Sequence, residues 1–275
     1  MPVTSRFASA FLIFRWFEFA TENTELTENL IFCFVFSVNS VAKMAKAILL
    51  DIEGTTTPID FVHKKLFPFA ATRIAEFFRE NFNGLTNEIG QLVEEHANFN
   101  DTVDLDANEP DSVSAYLIHL IKIDRKSTPL KSIQGKIWQA GYESGELKSE
   151  IFDDVPPAFK KWQAAGKTIA IYSSGSVLAQ KLLFKYTDRG DLTPFISAYF
   201  DTTSGGKKES ESYSKIAAEL RLQPHEILFV SDVLAELDAA KDAGLQTALS
   251  IRKGNAKVES GHDHKSIESF DQLAA

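Results

Sequence analysis

Ile48-Leu49-Leu50-Asp51-Ile52-Glu53-Gly54-Thr55-Thr56-Thr57-Pro58 is the stretch that decides the fold. An apolar run ends in a carboxylate, a second carboxylate follows two residues on, and a Gly and three hydroxyls close the segment. A short continuous apolar run bounded by turn residues suits a central parallel strand, buried on both faces. Strand side chains repeat every two residues, so Asp51 and Glu53 can project the same way at the strand's carboxyl end. Ligands in open α/β sheets bind at that end. One carboxylate there can act as nucleophile while the other handles a proton. An isolated DxE is more often a capping Asp beside a solvated Glu, so the chemical reading depends on the downstream chain.

Past this loop, strand candidates are Thr168 to Ser173, Ala198 to Asp201, Ile227 to Ser231 and Gln246 to Ile251, joining Ala47 to Ile52. Helical patterns separate the last four: Ala158 to Ala165, Val177 to Tyr186, Glu211 to Leu222 and Leu234 to Ala243. Alternating strands and helices predict an α/β fold with a doubly wound parallel sheet. The gap between the first two strands is far longer than one crossover. It contains helical patterns at His63 to Phe82, Ile89 to Phe99, Val113 to Ile123 and Leu130 to Leu147, an inserted all-helical layer of about 85 residues. The insertion leaves the sheet just after the acidic loop, where it can cover a site and exclude water. The predicted organisation is an α/β core at 44–61 and 150–260, a helical cap at 62–149 and a tail at 261–275.

Composition sets outer limits. The chain has 275 residues, 44% apolar and 24% charged, with a formal charge of −9. That charge argues against a general nucleic-acid or membrane-surface binder. The single cysteine, Cys33, excludes an internal disulfide framework and fits a reducing compartment. Residues 1–43 carry eight of the 22 phenylalanines, in runs too short for the roughly 18 apolar residues of a membrane span. Glu18, Glu22, Glu25 and Glu28 make the segment too acidic for a transit peptide. Met44 stands just before the first strand, so residues 1–43 are expected to be an extension outside the fold.

Three further stations lie at later strand ends. Tyr172-Ser173-Ser174-Gly175-Ser176 can hold a phosphate through hydroxyl and backbone N–H groups; alone, it would be read as a Ser N-cap. Asp201-Thr202-Thr203-Ser204-Gly205-Gly206 leads to Lys207, which can reach a phosphate as a point charge, with Lys208 beside it on the surface. Ser231-Asp232 follows the fourth strand, with Glu236 four residues on. Asp232 and Asp51 can share Mg2+, which takes one or two carboxylates plus substrate oxygens. Elsewhere, Gly261-His262-Asp263-His264 lacks a third ligand nearby and reads as a solvated tail. His63, His96 and His119 read as surface or cap-packing residues, and Trp138 with Tyr142 as core packing.

Asp, Ser/Thr, Lys and an acidic metal ligand on successive strand ends resemble the haloacid dehalogenase superfamily. The wording DIEGTTTP, with Glu53 where most members carry Asp, is similar to one branch, as are YSSGS with AQKLLF, FDT-x4-KxESESY, ILFxSD and DRKSTPLKSIQGKIWQAGY. The stretch from Met44 to about Asn255 resembles the enolase-phosphatases of methionine salvage. The resemblance implies a haloacid dehalogenase-like Rossmannoid core, with Asp51 as nucleophile and metal ligand and Glu53 at the metal through its backbone carbonyl and as acid/base. It implies Ser173, Ser174 and Lys207 on the substrate, Lys207 also serving catalysis, and Asp232 completing a site for one Mg2+. The implied substrate is a small phosphorylated diketone, 2,3-diketo-5-methylthiopentyl 1-phosphate, enolised and then dephosphorylated to the acireductone. A cytoplasmic monomer, also nuclear if the source is eukaryotic, acting without nucleic acid or membrane, is the accompanying expectation. A plain phosphatase of the same superfamily and an idle binding module are the competing readings.

Overall fold

A computed structural model describes residues 45–99, 103–123, 125–258 and 261–273; the expectation for residues 1–43 lies outside them. Strand β1 (Ala47–Leu50) is buried at every position. It lies between β2 (Thr168–Tyr172) and β4 (Ile227–Ser231), parallel to both, with Ala47 opposite Thr168 and Ile227. The full order is β3-β2-β1-β4-β5-β6, all parallel, with β3 at Ala198–Phe200, β5 at Gln246–Ser250 and β6 at Lys265–Ile267. The chain is therefore an α/β protein with a doubly wound parallel sheet.

The period of two divides β1 between two apolar layers. Ile48 and Leu50 join one cluster, Ala47 and Leu49 the other. Burying Ile48, Leu49 and Leu50 is worth about 1.5–3 kcal/mol each relative to exposure. This is why the run carries no polar residue until the strand ends.

Between β1 and β2 the chain is helical. A short helix, Ile59–Phe61, passes through a π-helical turn, Val62–Leu66, into α1 (Phe67–Asn81). α2 (Thr86–Phe99), α3 (Pro110–Lys122), α4 (Thr128–Ser144) and α5 (Val155–Ala164) follow. α4 is well delimited: Ser127 caps its start by accepting from Leu130 N, and Gly145 at φ +80° ends it. α2 is tied to α4 by Glu88, which accepts from Lys136 Nζ at 2.6 Å and Ser132 Oγ at 3.0 Å. The helical layer shares one apolar cluster with the sheet: Ile74, Phe78, Leu117 and Ile133 belong with Ile48 and Phe159. The remaining helices are α6 (Val177–Lys185), α7 (Ser210–Glu219) and α8 (Leu234–Asp242). α7 and α8 cover the opposite face through Tyr213, Ile216 and Leu237.

One expectation is overturned. Residues 261–273 are no solvated tail, because Lys265–Ile267 extend the sheet as β6, beside β5. His264 is buried and bridges Thr247 Oγ1 at 2.7 Å and Asp238 Oδ1 at 3.0 Å. Phe270 packs on Trp162. Only one of β6's three residues is buried, so no apolar run announces it. Among the described residues no helix is long and apolar enough to cross a membrane.

Candidate active site

The four stations meet at the carboxyl end of the sheet. Asp51 follows β1 directly, its N–H still donating to Val230 O at 3.0 Å. The chain then folds tightly, with the N–H groups of Thr55, Thr56 and Thr57 all converging on Ile52 O. Thr56 Oγ1 donates back toward the carbonyls of Asp51 and Ile52. All three threonines are fully buried, so they build the loop from beneath. The two-residue repeat ends with the strand at Leu50. Asp51 and Glu53 consequently turn to different partners, Asp51 inward and Glu53 toward the helical layer.

Lys207 joins three strand ends. Its Nζ lies 2.6 Å from Asp51 Oδ1 and 2.6 Å from Glu236 Oε2, and the three side chains are only 7–11% exposed. Ser231 Oγ donates to Glu236 Oε2 at 2.9 Å and lies 3.4 Å from Asp51 Oδ2. The lysine's backbone is fixed as well, because Tyr213 Oη donates to Lys207 O at 2.6 Å. Gly205, at φ +127°, lets the loop turn there; a Cβ would stand 2.2 Å from Ser212 Oγ. Burial alone would discharge the ammonium, but Asp51 and Glu236 together hold its pKa above the ordinary lysine value. Lys208 is exposed.

Asp232 sits against the Asp51 loop. Gly54 has φ +67°, and a Cβ there would lie 2.4 Å from Asp232 Oδ2. Only glycine lets the carboxylate come this close to the loop. Burial, followed by repulsion from Asp51 and Glu236, pushes the Asp232 carboxyl up to about 7. Three carboxylates thus gather around one ammonium, a surplus of negative charge that a cation would relieve. The carboxylates of Asp51 and Asp232 offer oxygen donors only, with no thiolate or imidazole beside them among the described residues. That set fits Mg2+, which takes few protein ligands and no thiolate or imidazole. Among the described residues no group of three or more His, Cys, Asp and Glu side chains forms a metal cluster.

Ser173 and Ser174 stand across from these groups. Ser173 is buried, and its Oγ accepts from Gly175 N at 3.2 Å. The Ser174 carbonyl accepts from Lys131 Nζ of α4 at 3.1 Å, linking sheet and helical layer. Both serines open onto a cavity of about 160 Å³ that also reaches Glu53. Its other wall is apolar, with Val62, Leu66, Phe67, Leu120, Leu130 and Trp138. Arg125, Lys126 and Lys131 add positive charge to the lining. Trp138 Nε1 donates to Leu66 O at 2.8 Å, so this tryptophan both packs and lines the cavity. Tyr142 does not line it; it bonds Ser149 Oγ at 2.6 Å and stacks on Tyr186.

For three residues here the chain pattern gave no sign of their partners. Glu236, at the first turn of α8, is buried with Lys207, although an acidic residue at a helix start ordinarily faces water. His63 is exposed and edge-on to Phe67 of the helical layer, as expected, and its Nε2 also lies 3.7 Å from Glu53 Oε2. Partial burial and the nearby charge of Asp51 raise the Glu53 carboxyl, against the opposing pull of His63 and Lys207. Arg252 clamps the loop from behind, donating to Thr55 O at 3.3 Å and Glu268 O at 2.8 Å while paired with Asp154 at 2.9 Å. Its partners are largely carbonyls, which leave no mark in a sequence.

Comparison with known proteins identifies the family. Residues 45–244 match the family model for haloacid dehalogenase-like hydrolases. A Synechococcus elongatus protein named enolase-phosphatase E1 is 53% identical over 230 residues, covering 82% of this chain and 96% of that protein. A Drosophila persimilis protein of the same name is 44% identical over 244 residues, covering 85% and 96%. Among solved structures, the UTR4 protein of Saccharomyces cerevisiae superposes with a TM-score of 0.68 at 33% identity, covering 83% of this chain and all of that one.

Proposed function

Because the chain belongs to the enolase-phosphatase family of the haloacid dehalogenase-like hydrolases, we propose that it converts 2,3-diketo-5-methylthiopentyl 1-phosphate to 1,2-dihydroxy-3-keto-5-methylthiopentene and phosphate. The observation that carries this reading is the buried Asp51–Lys207–Glu236 triad at the strand ends, with Glu53, Ser173 and Ser174 of the neighbouring loops lining a mostly apolar cavity beneath the helices.

In this reading Asp51 attacks the phosphorus and the ester oxygen departs. A phosphate dianion repels an incoming carboxylate, and Lys207 offsets that repulsion from a fixed position. Glu236 and Ser231 hold the ammonium and the carboxylate in place. Ser173 and Ser174 bind the phosphate from the β2 end. Glu53 delivers a proton to the leaving oxygen, a task its raised pKa favours, and then takes one from the water that opens the aspartyl phosphate. For enolisation, Glu53 and His63 are the pair placed to accept a carbon-bound proton at the seam with the cap. Asp51, Asp232 and the Glu53 carbonyl would hold Mg2+, which would supply positive charge to the phosphate and diketone oxygens. Residues 62–149 act as the cap: their apolar wall takes the methylthio tail and keeps water from the reacting centre.

Turnover of the diketone phosphate tests this, with enolisation followed by ultraviolet absorbance and phosphate release followed separately. The absorbance change should precede phosphate. Phosphate release without any preceding enol signal would reduce the protein to a simple phosphatase, and no turnover would end the reading.

A further inference from the structure

Asn255, in the loop after β5, lies beside the Asp51 loop. Its Nδ2 donates to Gly54 O at 2.9 Å and to Ser250 O at 3.1 Å. Both acceptors are carbonyls, so the amide can point only one way. Oδ1 is therefore directed away from them, and it is buried with no hydrogen-bond partner. A Cβ on Gly54 would stand 2.9 Å from this oxygen and 2.4 Å from Asp232 Oδ2. The amide oxygen and the carboxylate thus share one small space beside Gly54. A buried acceptor without a donor, set beside a partly buried carboxylate, calls for a cation or a donor nearby.

We propose that Asn255 is a positioning residue for the divalent cation, its Oδ1 giving a neutral oxygen acceptor to the cation's outer sphere beside Asp232. The proposal rests on the reading of Asp51 and Asp232 as cation ligands. An outer-sphere place suits Mg2+, which keeps several waters when few carboxylates bind it. A neutral amide also fits the charge balance, since Asp51, Asp232 and Glu236 already crowd this end of the sheet. Groups of this kind are commonly worth about 10- to 100-fold in metal affinity.

Ser250 separates this role from that of a simple strut. Its Oγ donates to the same Gly54 carbonyl at 3.1 Å but offers the cation no free acceptor. Mg2+ alone is titrated calorimetrically into the metal-free full chain, and thermal midpoints are recorded without metal. Asn255→Ala should weaken Mg2+ binding about tenfold or more, and Ser250→Ala by less than about threefold on the same reasoning. Equal losses in the two variants, or unchanged affinity in Asn255→Ala, would overturn the proposal while leaving the Asp51–Asp232 site intact. Absence of Mg2+ binding by the unmodified chain would overturn both. If Asn255→Ala does not fold, Asn255→Ser carries the test. Its hydroxyl keeps a donor for the neighbouring carbonyls but is too short to offer the second, acceptor oxygen, so Mg2+ affinity should still fall about tenfold, while affinity within about threefold of the unmodified chain would refute the role.

Discussion

Lys207→Ala removes the single cation shared by two buried carboxylates. Both Asp51 and Glu236 stand 2.6 Å from its ammonium, and their side chains are 7% and 11% exposed. Breaking a buried ion pair from one side typically costs about 3–5 kcal/mol, because an uncompensated charge remains. Here two remain, so the upper part of that range is expected in urea unfolding at pH 8. Glu236 already has its pKa raised by burial and by Asp51, and loss of the lysine raises it further. A carboxyl raised in the folded state stabilises the fold where it is protonated, and that stability is lost as pH rises through the folded value. The cost of Lys207→Ala should therefore shrink as pH falls from 8 toward 5.5. Phosphate release should fall by about 10²- to 10³-fold, the usual worth of a fixed charge-stabilising donor. Lys208→Ala, at an exposed position, should change neither. Adding Glu236→Gln to Lys207→Ala should return part of the lost stability, since one of the two stranded charges is gone. A loss below about 1 kcal/mol at pH 8, on that scale, would refute the reasoning. So would a loss equal at pH 8 and pH 5.5.

Three further outcomes are expected from the same geometry. Asp51→Asn should abolish phosphate release, since an amide is no nucleophile; rapid-quench mass spectrometry should find a phosphorylated Asp51 in the unmodified enzyme and none in the variant, and more than a few per cent residual activity would exclude Asp51. Mg2+ must displace the proton that Asp232 holds below about pH 7, so calorimetric affinity should fall from pH 8 to pH 6 with protons released on binding, and a chelator should stop turnover; pH-independent affinity would remove Asp232 from the site. Gly54→Ala meets both a φ of +67° and Asp232 Oδ2 at 2.4 Å, so it should lower Mg2+ affinity and turnover together; near-normal values would mean that the loop and carboxylate are not held as described.

The sequence made the sheet's centre easy to read and its edge hard. Strands β1, β2 and β4 are buried at nearly every position, so each is mainly an apolar run, and such runs stand out. Lys265–Ile267 at the edge buries only Ile267 and shows no such run. What holds that edge is His264 between Thr247 and Asp238, with Phe270 on Trp162. Those contacts span some 17 to 108 positions of chain, beyond the reach of any local pattern.

The active site divides in the same way. Asp51, Ser173, Lys207 and Asp232 could be picked out from sequence because each stands just past a strand or in the loop after it, with glycine or hydroxyl neighbours marking a turn. Glu236 was visible as a residue but not as a partner: only the fold shows that its helix starts beside Lys207 instead of in water. Asn255 and Arg252 are harder still. They act on Gly54 O, Ser250 O, Thr55 O and Glu268 O, and a carbonyl acceptor can belong to any residue type. Their identities are nevertheless constrained. Arg252 must reach two carbonyls and the Asp154 carboxylate while lying between the Phe152 and Phe270 rings, and only a planar guanidinium does all of that. A lysine at 252 would keep the charge but lose the fork and the stacking. The loop that carries Asp51 is thus fixed from behind by groups that sequence motifs do not mark, and its placement depends on them as much as on the residues that would touch substrate.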